Sequence, residues 1–175
     1  MSLTTAKFST RRKIVNLILP HDANASAITT SNCDIFSLEN YDKATIILQF
    51  GVVNASANLG TLTIEKCTDV AGSNNTAMAF TYRTEGTAGG DTLDAISSAT
   101  SSGVDLTTDL GVVDGTLVVI EIRAEELAPA HASTTNYTSL SLLLGSPGSY
   151  SVLMSGIAIL DGARYQNNAL PTAIA

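Results

Sequence analysis

Residues 44–50 read Ala-Thr-Ile-Ile-Leu-Gln-Phe. Ala44, Ile46, Leu48 and Phe50 alternate with Thr45, Ile47 and Gln49, so one face of the segment is apolar throughout. A spacing of two with β-branched residues is the signature of a strand with one buried face. Similar runs lie on either side: Lys13 to Leu19, Thr61 to Cys67, Leu117 to Arg123, Thr138 to Leu144 and Ser151 to Leu160. Weaker elements are expected at Cys33 to Leu38, at Ala77 to Arg83 with Met78, Phe80 and Tyr82 on one face, at Thr92 to Ile96 and at Val104 to Thr108. Only Glu125 to Ala128 reads as a helical turn. Connections this short leave no room for repeated β-α-β crossovers, and the apolar faces need a second layer. The fold class is therefore all-β, an antiparallel β-sandwich or jelly-roll-like domain of about eight or nine strands. Pro20 is expected to close the first strand, residues 51–59 to form a connection, and the neighbouring runs 44–50 and 61–67 to pair antiparallel.

The chain has 175 residues, which fits one domain with its own core. Charged residues make up 14%, against roughly 25% in an ordinary globular protein. Much of the surface is therefore Ser, Thr, Asn and Gly, which favours packing against neighbours because few charges need desolvation. The net charge is -7, yet four of the nine basic residues, Lys7, Arg11, Arg12 and Lys13, fall at the start of the chain. The reading is a basic arm at 1–13, one β domain at 14–166 and a C-terminal tail at 167–175. The acidic body makes nucleic acid an unlikely partner. Ile14 to Leu19 is a poor signal peptide, and the sequence has no apolar run long enough for a membrane helix.

Catalytic and metal signatures are sparse. His21 and His131 stand apart, in neither an HExxH nor a deaminase pattern, and no GxSxG elbow is present. Cys33 and Cys67 form no CxxC pair and are expected to be reduced. Asp91 and Asp94 are the best-placed acids for a loop calcium ion, but solvated turns explain them more simply. Residues 84–90, Thr-Glu-Gly-Thr-Ala-Gly-Gly, lack the Gly-Lys-Ser/Thr of a phosphate loop and read as a hairpin. The sequons at Asn24, Asn54, Asn74 and Asn136 read as products of an Asn/Ser/Thr-rich chain. No cofactor, metal or enzymatic role is expected. Tyr41, Tyr137, Tyr150 and Tyr165 are candidates for loop or subunit contacts, where an amphipathic ring is useful, with core or edge packing as the equal alternative for each.

Three segments carry a resemblance: Tyr-Asp-Lys-Ala-Thr-Ile at 41–46; Leu-Thr-Ile-Glu-Lys-Cys-Thr-Asp at 62–69, followed by Val-Ala-Gly; and Gly-Ala-Arg-Tyr at 162–165. With the basic first strand, these make most of residues 7–166 similar to small β-rich auxiliary virion structural proteins of tailed bacteriophages, of the capsid decoration, cement or head-fibre type. The resemblance implies a non-enzymatic β-sandwich, made in the host cytoplasm and placed on the capsid surface. Its partners would be the major capsid protein or other virion subunits, including copies of itself. The implied contact residues are Lys7, Arg11, Arg12 and Lys13, facing an acidic capsid surface, with Tyr41, Arg164 and Tyr165. A receptor- or glycan-binding fibre module is the alternative.

Overall fold

In the computed structural model, which describes residues 8–23, 33–54, 59–85, 89–128, 135–145, 151–164 and 172–174, the alternation of residues 44–50 becomes inward and outward alternation along a strand. Ala44, Ile46, Leu48 and Phe50 are all buried. One helical turn, α1 (Phe8–Arg11), precedes β1 (Lys13–Asp22), β2 (Phe36–Ser37), β3 (Lys43–Asn54), β4 (Thr61–Cys67), β5 (Thr76–Met78) and β6 (Phe80–Thr84). The chain continues through β7 (Ser97–Ala99), β8 (Val104–Asp105), β9 (Leu117–Arg123), a 3-10 turn at Ala124–Leu127, β10 (Ser139–Leu144) and β11 (Ser151–Asp161).

These strands form two antiparallel sheets. One has six strands in the order β1-β11-β3-β9-β6-β7; the other has five, β2-β10-β4-β5 with β8 also on β4. Their inner faces share one core, in which Leu48, Phe50, Ile120 and Met154 of the larger sheet join Leu62, Ile64, Leu140 and Leu142 of the smaller. The architecture is the β-sandwich expected from the alternation.

Five local expectations are corrected. The runs 44–50 and 61–67 do not pair with each other: β3 lies between β11 and β9, while β4 pairs with β10, β5 and β8. Both strands keep their apolar faces inward, but β4 stands in the facing layer, so those faces meet across the core instead of lying side by side. Residues 51–54, read as a connection, extend β3 and pair with β11. The apolar run 77–83 is broken at Ala79, with β5 in one sheet and β6 in the other, so the inward side chains Met78, Phe80 and Tyr82 mark a strand that changes layers. Pro20 lies within β1. That strand is a sheet edge, and its register shifts between Ile18 and His21, where a residue without an N–H is tolerated. Residues 92–96 contribute only the bridge of Leu93 to Glu85, and the strand forms after them at Ser97–Ala99.

The ends are also tied to the body. Lys13 is already the first residue of β1, so the boundary drawn after position 13 falls inside a strand. Near the C-terminus, Ala173 is buried and accepts a hydrogen bond from the Ser37 N–H at 2.8 Å, so this part of the tail returns to its own chain.

Candidate interaction surface

Strand alternation that buries Ile46 and Leu48 sends Thr45, Ile47 and Gln49 to the outer side of the six-stranded sheet. Register then assembles rows across that face. One row runs Asn16, Ile157, Ile47, Val119, Arg83; the row before it runs Ile14, Ile159, Thr45, Glu121, Thr81. A third carries Ser155, Gln49 and Leu117, and Glu85 extends it through the Glu85 N–H to Leu117 carbonyl bond of 3.1 Å. Solvated faces of antiparallel sheets are normally polar. Here Ile14 is 51% and Ile157 37% exposed, beside the half-buried Ile47, Ile159, Leu117 and Val119. A groove of about 300 Å³ runs over Ile18, Pro20, Ile47, Leu117 and Ile157.

The outermost row is charged: Asp161, Lys43 and Arg123 lie side by side at one end of the strands. Because β1 starts and β11 ends here, Arg11, Arg12, Lys13 and Arg164 come to the same end. The Arg12 guanidinium meets Asp161 at 3.2 Å and lies 5.0 Å from the Phe8 ring centre; Arg164 meets Asp42 at 3.5 Å and Arg123 meets Glu125 at 3.3 Å. Partial burial raises the Asp161 pKa, but the Gly162 N–H and the Arg12 charge outweigh it and hold the carboxyl below its ordinary value. Of the six basic residues described at this end, the sequence singles out four and misses Lys43 and Arg123. Their signal was position at the start of one strand and the end of another, usable only once β3 and β9 are known to be neighbours.

Tyr41 is corrected as a contact residue. Its side chain is 0% exposed in the core, and burial raises its pKa. Lys7 and Tyr165 lie outside the described residues, as do His131 and Tyr150. Tyr137 is half-buried, with the Lys66 ammonium 4.6 Å from its ring centre and its hydroxyl 3.2 Å from that of Thr76. It borders a cleft of about 190 Å³ with Leu38, Leu127, Asn136 and Arg164.

Acids accompany the bases at the Arg12 and Arg164 end, Asp42, Asp161 and Glu125 in ion pairs, and other acids organise loops at the opposite end. Asp105 accepts the N–H groups of Thr107 and Thr108, which hold its carboxyl below the ordinary value; Asp114 accepts Val53 N–H and Glu85 accepts Leu117 N–H. Asp94 accepts the Thr84 hydroxyl and Asp91 that of Thr92. Among the described residues, no group of three or more His, Cys, Asp or Glu is placed to hold a metal ion. No helix among them is long and apolar enough to cross a membrane.

Cys33 and Cys67 are buried and free. Burial raises both thiols, that of Cys33 to about 11 from an ordinary 9.0. The unfolded chain releases this proton first, so the Cys33 contribution to stability is complete below about pH 9 and is lost between about pH 9 and 11. The slope is about 1.4 kcal/mol per pH unit. Urea unfolding across this range should show a shallower alkaline loss for Cys33→Ala than for the wild type; equal slopes would place the folded thiol at an ordinary pKa.

Comparison with protein-family models, curated proteins and solved structures finds no match to this chain.

Proposed function

We propose that the chain is a non-enzymatic auxiliary structural subunit of a virion, decorating or cementing the capsid surface. The observation that carries this reading is the apolar patch of Ile14, Ile47, Leu117, Val119, Ile157 and Ile159 on the outer face of the six-stranded sheet, in a chain with only 14% charged residues. Such a face suits a subunit that spends its life against other subunits. The end that carries Arg11, Arg12, Lys13, Lys43, Arg123 and Arg164, three of them in ion pairs within the chain, supplies the second contact, toward an acidic shell. The phage resemblance of the motifs at 41–46, 62–69 and 162–165 supports the same reading.

Electron cryomicroscopy of the particle tests it. The expected result is symmetric density on the shell that fits the two-sheet sandwich, with the starts of β1 and β3 toward the capsid. Density confined to a tail or fibre would replace decoration by attachment or receptor binding, and absence from the particle would overturn the virion role. In a binding assay with particles lacking the subunit, Arg11→Glu with Arg164→Glu should weaken association about tenfold or more, with the loss shrinking at high salt. Unchanged binding would remove the base-rich end from the contact.

A further inference from the structure

We infer that the outer edge of β2 is an acceptor for the segment Thr172–Ile174 of a second copy, so that neighbouring copies exchange this segment. The inference rests on reading the chain as an assembly subunit and names a contact that joins its copies. At a sheet edge, successive backbone N–H groups point alternately toward the neighbouring strand and away from it. The Leu38 N–H turns inward to the Thr138 carbonyl at 2.7 Å, whereas the Ser37 N–H turns to the open edge and bonds the Ala173 carbonyl at 2.8 Å. Ala173 is 2% exposed and belongs to the common core, while Thr172 and Ile174 on either side of it are exposed. This is recognition by an added strand, with a main-chain bond at the edge and an alternate side chain seated inside.

Two observations favour exchange. The edge is built without the segment: Phe36 and Ser37 pair with β10, Ser37 Oγ bonds the Thr138 carbonyl at 3.3 Å, and the Glu39 N–H bonds Ser37 Oγ at 3.1 Å. The segment, by contrast, is held to the rest of the chain by one hydrogen bond and one buried methyl group among the described residues. Its other bond, from the Thr172 hydroxyl to the Ile174 carbonyl, is internal. A hold this small opens readily, and the vacated edge fits the segment of another copy as well as its own. Exchange of an identical element is an accessible route to association, and copies held side by side in a shell present the segment at high effective concentration.

Fluorescence anisotropy of a labelled peptide of residues 169–175, titrated with the full chain, tests the acceptor edge. The peptide is expected to bind the wild type, and to bind about tenfold or more tightly to Ala173→Glu, whose own segment would have to bury a carboxylate. The same peptide carrying Ala173→Glu should bind neither. No binding of the native peptide, or equal binding of both peptides, would overturn the acceptor, and the wild-type arm decides this even where the variant does not fold. Sedimentation velocity tests the exchange, with circular dichroism checking each variant. A labelled Ala173→Glu chain, with a vacant edge and no competent donor, should stay monomeric by itself and form a one-to-one complex with unlabelled wild type at about 100 μM, a range that captures micromolar dissociation. Adding Ser37→Pro, which removes the edge N–H, should abolish that complex; a complex that survives would place the contact on another surface. Peptide binding without a complex between chains would overturn the exchange, and if that chain still decorates particles the virion reading stands without it.

Discussion

Replacing Phe50 by alanine is expected to cost about 3–5 kcal/mol, the range for emptying a large aromatic site in a packed core. Phe50 is fully buried on β3, and its backbone N–H bonds the Thr116 carbonyl at 2.9 Å while its carbonyl accepts the Gly115 N–H at 3.1 Å. The backbone is therefore pinned, and neighbouring side chains have little freedom to close the void. Domains of this size are typically stable by about 5–15 kcal/mol, so the variant should lose a large fraction of its margin. Urea titration of the monomer would show a lowered midpoint at unchanged slope. The companion change Ile47→Ala, three residues earlier and on the outer face, should cost about 1 kcal/mol or less in the same assay. Similar losses at both positions would contradict the assignment of faces along β3.

The second large effect is expected at Gly103, which closes the turn from Thr100 and leads into β8. Its φ is +86°, a conformation that L side chains rarely adopt, and an added Cβ would collide with the Leu62 carbonyl oxygen and lie 2.8 Å from Thr61 Cγ2. Gly103→Ala must therefore displace β8 from the start of β4, at a cost of about 3 kcal/mol from strain and lost packing. Gly111 provides the control, because its φ is +56° but nothing lies within 4 Å of a built Cβ. Gly111→Ala should lose only the conformational part, about 1–2 kcal/mol. Equal melting-temperature shifts for the two variants would mean that the Leu62 contact has no energetic role.

What the sequence made legible follows from which information is local. The alternation of residues 44–50, 61–67 and 117–123 lies in the chain itself, and two of those strands, β4 and β9, begin and end where the pattern does. Pairing is a different kind of information. β3 takes its partners from β9 and β11, far along the chain, so proximity in sequence pointed to the wrong neighbour. The layer change at Ala79 leaves no mark in the pattern, because Met78, Phe80 and Tyr82 all point inward whichever sheet holds them. Tyr41 was misplaced for a related reason: flanked by Asn40 and Asp42 it reads as a loop residue, yet the loop folds its ring into the core. The candidate surface was the least legible part. Ile47 looked like an incidental apolar residue opposite the core face, and only register with Ile157 and Val119 turns it into the centre of a patch.

The pairing of β1 with β11 also governs how the domain bears tension. Lys13 lies opposite Leu160 and Asp22 opposite Leu153, so the first and last strands run side by side with their outer ends together. A pull applied at those two ends meets the rungs between the strands one after another, beginning at Lys13 and Leu160, rather than loading them all in parallel. Mechanically the sandwich is a zipper along this border.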